Sequence, residues 1–476
     1  MAVDTSDSPA DFLSFPASRL AELIKAREIS VKEVVASSLE RAAIVQAEFN
    51  SFTRIFNDES IEAAERADKA IASGAELGPL FGVPISIKDF TPTEGQLTTR
   101  GSCTLETNVG AADPVIVKRL KAAGAIVVAK TTTPEFAYSS FTQSPLWGIT
   151  RNPWNRDHTP GGSSGGAAVS VVTGSVGIAE GTDMGGSVRI PSAFSGCVGM
   201  KPSKGRIPME ITGSVFDHIS HFGPLARSVH DAALFLRVTE GPDEADMQSQ
   251  LQPLPIPETL MTNAKGLRIA ISPDLGFYNV DPTVLSNLKR SADALVEAGA
   301  QVDWVDLDWP ANFATEWVEY WEVFLAAQFG HLLETSRDIM DPELVHVLDA
   351  GMKAKAIDIE RGALTRTLQW RKMAQLFEKY DALVCPTTAQ VAPLAKQKDS
   401  DFESLGDDGR LNGLDMTAIF NNVGVCPAIA VPNWTADNAL PTSVQVIGRR
   451  FDDPTVLRIA SCLEHFSPWP LWKPAG

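Results

Sequence analysis

Two serines flanked by glycines are the residues of this sequence best suited to chemistry. They lie within residues 161–189, which read GGSSGGAAVSVVTGSVGIAEGTDMGGSVR. Ser163 follows one glycine pair and Ser187 follows another, Gly185 and Gly186. Because glycine permits tight turns and close backbone approach, such loops can hold a hydroxyl beside converging backbone N–H groups. Acyl transfer needs this combination, a nucleophile next to an oxyanion hole.

Two other interpretations of the glycine-rich stretch are disfavoured by its context. A nucleotide-binding loop would carry Lys-Ser/Thr after the glycines or a G-x-G-x-x-G pattern, and the stretch has neither. Residues 161–165 match the G-x-S-x-G of a nucleophile elbow, which must follow a β-strand. Pro153 and Pro160 lie in the preceding segment. A segment with two prolines does not form a central strand.

A serine hydroxyl needs a base, and Lys88 is the candidate. The histidines are not placed by the sequence to do this work. Lys88 ends the segment FGVPISIK, residues 81–88, which reads as a buried strand. Burial disfavours a charged ammonium, so a lysine at this position can become neutral near working pH. The residues alone leave open a second interpretation, in which Lys88 pairs with Asp89 or Asp183.

Four segments resemble the signature of the amidase signature family of serine hydrolases. They are PISIKD at 84–89, PGGSSGG at 160–166, GTDMGGSVRIP at 181–191 and GCVGMKPSKGR at 196–206. The resemblance extends over nearly the whole chain. These linked motifs are far more specific than any single glycine pattern.

The resemblance implies a role for each matching residue. Ser187 would be the nucleophile, and Ser163, which follows a cis peptide bond in the family, would bridge it to the base Lys88. Asp183 and Arg189 would support the loop. The expected oxyanion hole consists of the backbone N–H groups of Met184, Gly185, Gly186 and Ser187. No metal and no organic cofactor are expected, because the sequence shows no clustered His, Cys and carboxylate ligands.

The fold class expected is α/β. Helical and strand patterns alternate along the chain, and Ser30 with Glu33 forms a capping box before a helix at 30–45. The resemblance implies one large catalytic domain at 18–476, with a central twisted mixed β-sheet covered by helices on both faces. Residues 1–17 are expected to form an N-terminal arm.

An aromatic, helical region at 306–380 has two interpretations. It forms part of the core, which is the more common role of an aromatic stripe at helical spacing, or it shapes the substrate pocket. Tyr138, Phe141 and Trp147 are also candidates for an apolar pocket, since they lie between the lysine strand and the glycine-rich loop. A small or aryl carboxamide is the expected substrate.

Composition limits the partners and the location. Asp and Glu total 59 against 41 Lys and Arg, which gives a net charge of −18. Such a surface disfavours direct contact with nucleic acid or anionic membranes. The five cysteines form no C-x-x-C pair, which fits a cytoplasmic protein. We see no secretory signal, and no apolar run reaches the roughly 18 residues of a membrane span.

The function expected is hydrolysis of a carboxamide to a carboxylic acid and ammonia or an amine. The alternative, also found in the family, is the glutamine-hydrolysing A subunit of a tRNA-dependent amidotransferase. The expected partners are a small-molecule amide and, in a homodimer, a second copy of the chain. A non-catalytic scaffold is disfavoured, because all three triad positions are filled.

Overall fold

The protein is built around an eleven-stranded sheet in a computed structural model that describes residues 9–402 and 404–473. Among these residues the strands are β1 (Phe52–Ile55), β2 (Pro84–Lys88), β3 (Ile126–Thr131), β4 (Gln143–Ser144), β5 (Gly148–Ile149), β6 (Ile178–Asp183), β7 (Val198–Lys201), β8 (His221–Ala226), β9 (Arg268–Ile271), β10 (Gln301–Trp304), β11 (Ala382–Pro386), β12 (Ala428–Pro432) and β13 (Ser443–Gly448). Strands β4 and β5 pair only with each other.

The large sheet is mixed, with the order β1-β3-β2-β6-β8-β7-β12-β13-β11-β9-β10. Strand β2 runs parallel to both β3 and β6, whereas β6 and β8 are antiparallel. Parallel neighbours end at the same edge of a sheet, so the carboxyl ends of β2 and β6 meet there. This arrangement brings Lys88, at the end of β2, close to the loop that follows β6 and carries Gly185, Gly186 and Ser187.

Helices flank the sheet, which confirms the predicted fold class. They are α1 (Ala17–Lys25), α2 (Val31–Phe49), α3 (Asn57–Ala72), α4 (Val115–Ala122), α5 (Gly165–Val172), α6 (Arg189–Ser195), α7 (Val229–Thr239), α8 (Pro282–Glu297), α9 (Asn312–Phe329), α10 (Leu333–Ser336), α11 (Pro342–Lys353), α12 (Ala356–Lys379), α13 (Ile419–Asn422) and α14 (Asp453–Phe466). Within the described part of the chain, no helix combines the length and apolar character needed to cross a bilayer.

Local signals set several of these boundaries. The Ser30 side chain accepts a hydrogen bond from the Glu33 N–H, and the Glu33 side chain accepts one from the Ser30 N–H, so the predicted capping box is present. Helix α2 buries Val31, Val34 and Leu39 along one stripe and extends to Phe49, beyond the predicted end. Apolar residues at helical spacing therefore predicted this helix, while its end depends on the αL residue after it.

The first part of the chain packs more closely than an arm. Residues 1–8 of the expected arm at 1–17 lie outside the described residues. Pro9–Ser14 forms a short 3-10 helix, and the Leu13 side chain is only 8% exposed. The Asp231 carboxylate accepts the N–H groups of Ala17 and Ser18 at 2.8 and 3.0 Å, which fixes the start of α1.

The region at 306–380 is mostly helical, and it contributes to both the core and a cavity. Helices α9 to α12 occupy most of it. Phe313, Phe324 and Phe329 are buried. Trp317 and Trp321, on the same helix α9, instead line a cavity that contains Ser187. The two interpretations of the aromatic stripe thus apply to different side chains of one helix.

Candidate active site

Lys88 is the last residue of β2 and its side chain is completely buried. Its Nζ lies 2.7 Å from Oγ of Ser163 and 2.9 Å from Oγ1 of Thr182 on β6. Strands β2 and β6 pair in parallel, and the lysine and the threonine lie near the carboxyl ends of these two neighbours. Both hydroxyls can accept from an ammonium, and Ser163 can also donate to a neutral amine.

Burial lowers the pKa of Lys88 to about 7, although the carboxylates of Glu180 and Asp183 act in the opposite direction. Glu180 does not touch the ammonium. Its carboxylate accepts the backbone N–H of Lys88 and the hydroxyl of Thr91, each at 2.9 Å. With such a pKa, a substantial fraction of Lys88 is neutral at neutral pH and can accept a proton.

Neither aspartate considered as an ion-pair partner of Lys88 has that role in this structure. The Asp89 carboxylate accepts the backbone N–H and the hydroxyl of Thr99. Asp183 is paired with Arg189 at 3.0 Å. The hydrogen bond from Lys88 Nζ goes to Ser163, so the geometry fits the proton-transfer interpretation of the lysine.

Ser163 is buried at the start of the segment that leads into α5, and the peptide bond between Gly162 and Ser163 is cis. The next residue ties the two serine loops together, since the Ser164 N–H donates to the carbonyl of Ser187 at 3.1 Å. Ser187 is only partly buried. The structure therefore brings together the sequence-predicted Lys88, Ser163 and the loop of Ser187, with the last serine open to a cavity.

Asp183 and Arg189 form a buried ion pair next to the Ser187 loop. Both side chains are 0% exposed, and two hydrogen bonds of 3.0 Å join the guanidinium to the carboxylate. The Asp183 carboxylate also accepts the N–H groups of Gly186 and Val188. Burial by itself would raise the pKa of Asp183, but the charge and hydrogen bonds of Arg189 hold it well below its ordinary value. The aspartate therefore stays ionised and keeps accepting from the loop.

The loop between β6 and α6 has its carbonyl groups fixed by other residues. Nε1 of Trp317 donates to the carbonyl of Met184 at 3.1 Å, and Oγ1 of Thr417 lies 2.5 Å from the carbonyl of Gly185. The carbonyl of Gly186 accepts the N–H of Ile190 at 2.6 Å. Anchored carbonyls fix the peptide planes, and with them the directions of the N–H groups.

One of the four expected oxyanion-hole donors already has an acceptor. The N–H of Gly186 donates to Oδ1 of Asp183 at 2.9 Å. This leaves Met184, Gly185 and Ser187 as the candidate donors. A local glycine pattern indicated the loop, but it could not show which amide the aspartate would take.

A cavity of about 480 Å³ opens onto Ser187. Its wall contains Tyr138, one of the three candidate pocket residues, together with Met184 and Gly185. The other aromatic side chains of the wall are those of Tyr278, Trp317, Trp321 and Phe402. Five aromatic side chains therefore contribute to the wall of the cavity that contains Ser187.

The other two candidate pocket residues do not line this cavity. Phe141 is 1% exposed and packs in an apolar cluster with Ile190 and Leu414, which do line it, and its ring lies 6.1 Å from that of Phe402. Phe141 therefore adjoins the cavity only through other side chains of its wall. Trp147 donates from Nε1 to Oγ1 of Thr99 at 2.9 Å.

The charged residues that line the cavity are all acidic. They are Glu319, Glu322, Asp399 and Asp415, and the described lining residues include no lysine or arginine. Burial raises the pKa of Asp399 to about 6, against hydrogen bonds from Ser139 and Ser140 that lower it. Burial also raises the pKa of Asp415. At neutral pH the cavity carries negative charge, which disfavours an anionic ligand.

A second cavity, of about 450 Å³, lies between α9, α11 and α12. It borders the first at Thr315, Glu319 and Glu322 but does not contain Ser187. We take the cavity at Ser187 as the candidate active site, because the carbonyl of Ser187 accepts a hydrogen bond from Ser164, the residue next to the Lys88–Ser163 contact. In the part of the chain that the structure describes, no group of three or more His, Cys, Asp or Glu side chains could hold a metal ion.

Comparison with known proteins agrees with this architecture. The sequence pattern of the Amidase family matches residues 33–457. An acylamidase of Rhodococcus erythropolis is 34% identical over 463 residues, covering 96% of this chain and 97% of the relative. The A subunit of the glutamyl-tRNA(Gln) amidotransferase of Geobacillus kaustophilus is 32% identical over 484 residues, covering 96% and 98%.

Among solved structures, a bacterial aryl acylamidase of the amidase signature enzymes superposes with a TM-score of 0.90 at 29% identity, covering 97% of this chain and 98% of that one. The fold and the comparisons thus define the class of protein as an amide hydrolase. The chain belongs to the amidase signature family.

Proposed function

We propose that the protein is an amidase that hydrolyses a carboxamide through an acyl-enzyme on Ser187. The observation that carries the proposal is the 2.7 Å contact between Lys88 Nζ and Ser163 Oγ, beside a loop that presents Ser187 to a cavity. A serine becomes an effective nucleophile only when a neighbouring base removes its proton.

The proposed mechanism moves one proton along two hydroxyls. Ser187 Oγ attacks the amide carbonyl carbon and passes its proton to Ser163, whose own proton goes to neutral Lys88. The tetrahedral oxyanion is stabilised by backbone N–H groups of Met184, Gly185 and Ser187. The lysine returns the proton through Ser163 to the leaving nitrogen, and the C–N bond breaks. Water then attacks the acyl-enzyme by the same relay and releases the carboxylic acid.

The substrate class that we propose is an aryl amide. The aromatic wall with Tyr138 and Trp317 can pack a flat ring, and one relative of known structure is called an aryl acylamidase. A ring of this kind would occupy either the acyl side or the amine side of the scissile bond. The experiment that separates these cases compares anilides with benzamides.

The alternative function is hydrolysis of glutamine as the A subunit of a tRNA-dependent amidotransferase. It has a specific observation in its favour, since relatives with that name are about as similar over the full chain. Against it stands the charge of the cavity. Glutamine carries an α-carboxylate beside its α-ammonium. The four acidic lining residues can pair with the ammonium, but the described lining residues include no basic side chain for the carboxylate.

The test of the proposed function is a substrate panel with two serine variants. Purified protein is assayed alone against anilides, benzamides, aliphatic amides, carbamates and glutamine. We expect turnover of aryl amides, a loss of several decades in Ser187→Ala, and near-normal activity in Ser192→Ala, a buried serine on α6. Glutamine as the sole substrate would favour the alternative, and an active Ser187→Ala variant would contradict the mechanism.

A cytoplasmic location is part of the same proposal. All five cysteines are free, and four of them are buried. Disulfides are rare in the cytoplasm, so a set of unpaired thiols fits that compartment. The homodimer stays a prediction.

A further inference from the structure

Trp317 lies on α9, far from every sequence motif of the site, yet it contacts the nucleophile loop directly. Its indole Nε1 donates a hydrogen bond to the carbonyl of Met184 at 3.1 Å. Its ring packs against Gly185 so closely that a Cβ added there would overlap the indole. The same side chain lines the cavity at Ser187. Trp317 thus joins the aromatic helix to the loop that holds the candidate oxyanion donors.

The hydrogen bond has a defined consequence for the peptide group between Met184 and Gly185. In a trans peptide the C=O and the N–H point in opposite directions. With the Met184 carbonyl held towards α9, the Gly185 N–H is held on the other side of the loop. A rotated plane would set this N–H against the indole N–H, donor against donor, and would leave both without an acceptor. The tryptophan therefore selects one orientation of the plane.

The position also explains the residue type at 185. Glycine is the residue that allows the indole to lie against the backbone, since any side chain would displace the ring. The next peptide plane is held differently, by Thr417 on the carbonyl and by Asp183 on the N–H. Of the two planes, the one held by Trp317 is the one whose N–H is a candidate oxyanion donor.

We propose that Trp317 is a positioning residue for amide hydrolysis, which orients the Gly185 N–H towards the developing oxyanion through its hydrogen bond to the Met184 carbonyl. This inference rests on the proposed function. Preorganised donors stabilise charge that forms only in the transition state, so their orientation affects kcat more than KM. A tryptophan that only lined the cavity would affect substrate binding, and therefore KM, instead.

Trp321 provides a matched control. Its ring stacks on that of Trp317, with centroids 5.4 Å apart and planes at 18°, and it lines the same cavity. The structure gives it no hydrogen bond to the Met184–Ser187 loop among the described residues. The two tryptophans share the helix, the cavity and the stacking contact, and they differ in the bond to the loop.

The test compares Trp317→Phe with Trp321→Phe on the aryl amide that the wild type hydrolyses best. A third variant carries 3-benzothienylalanine at position 317, which keeps the bicyclic ring and lacks only the N–H donor. We expect kcat to fall about 10-fold in both position-317 variants, with KM within about twofold, because one full oxyanion donor is worth roughly 10²–10³ in kcat. In Trp321→Phe we expect any change to appear in KM rather than in kcat, because this tryptophan lines the cavity without a hydrogen bond to the described residues of the loop. A KM increase with unchanged kcat at position 317 would overturn the inference.

Crystal structures of the three variants provide a readout that does not depend on turnover. We expect the peptide plane between Met184 and Gly185 to rotate in both position-317 variants and to stay in place in Trp321→Phe. An unchanged plane in the benzothienyl variant overturns the inference, whatever its activity. Failure of the proposed function has a separate signature, namely retained hydrolysis in Ser187→Ala, so the two outcomes are distinguishable.

Discussion

Nζ of Lys88 and Oγ of Ser163 lie 2.7 Å apart, and both side chains are completely buried. The lysine comes from the end of a central strand, and the serine comes from a loop before a helix that packs on that strand. A contact this short between a buried amine and a hydroxyl can transfer a proton if the amine is neutral. The first predictions concern that condition.

We expect the rate of amide hydrolysis to rise with pH through a single ionisation near 7. Burial lowers the pKa of Lys88 to about 7, and the base must be neutral to act. Activity is therefore low below this pKa, where the ammonium predominates, and reaches a plateau above it. The measurement is kcat/KM between pH 5.5 and 9, which reports ionisations of the free enzyme. A rate that falls as pH rises through 7 would contradict a neutral lysine base.

Lys88→Arg should be as inactive as Lys88→Ala, with losses of several decades in kcat/KM. A guanidinium stays charged at accessible pH and cannot accept the proton from Ser163. If Lys88 served only as a cation for neighbouring carboxylates, arginine would preserve much of the activity. Circular dichroism and thermal unfolding of both variants check that the fold persists, and an arginine variant with near-normal turnover would exclude Lys88 as the base.

Thr182→Val should lower kcat by about 3- to 10-fold, and Thr182→Ser should restore it. The Thr182 hydroxyl lies 2.9 Å from Lys88 Nζ and orients the amine towards Ser163. Loss of one hydrogen bond corresponds to about 0.5–1.5 kcal/mol, which gives this range of rates. Steady-state kinetics of the two variants decide the point, since equal activities would mean that the hydroxyl has no part in orienting the lysine.

Arg189→Met should destabilise the fold by about 3–5 kcal/mol, because it leaves the buried carboxylate of Asp183 without its cation. Arg337→Met is the matched control. Arg337 also makes two hydrogen bonds to an aspartate, Asp349, but these side chains are 46% and 34% exposed. We expect this exposed pair to contribute far less to stability, because solvent and salt screen the interaction. Urea denaturation of both variants measures the difference, and equal losses would contradict a special role for the buried pair.

Neutral aryl amides should be hydrolysed faster than carboxylate-bearing ones, and Glu319→Gln should reduce this difference in rate. Glu319 lines the cavity and adds to its negative charge. Removing one charge favours an anionic substrate and leaves a neutral one nearly unaffected. The control is Glu378→Gln, at an exposed position of α12 that does not line the cavity. The ratio of kcat/KM for an anilide with and without a carboxylate is the measurement, and an unchanged ratio in Glu319→Gln would remove the electrostatic argument against glutamine.

The sequence by itself determined the elements whose signals are local. A few consecutive residues are enough to predict each of three features: the capping box at Ser30, the strand ending at Lys88 and the glycine-flanked serines. Such signals depend on capping, period and backbone freedom, which a short segment carries with it. They predicted the α/β class and marked Ser163, Ser187 and Lys88 as candidates, whereas the roles of these residues came from the resemblance to the amidase signature family.

The tertiary structure decided which distant side chains reach that site. Trp317 donates to a carbonyl 133 positions before it, and Thr417 approaches the next one from 232 positions away. Phe141 had the right type and neighbourhood for a pocket, but it is buried against Phe402, which lines the cavity, and does not line it itself. Residue type and spacing along the chain do not specify such contacts. The contacts depend on the order of the eleven strands and on how the aromatic helix α9 packs against the loop that follows β6.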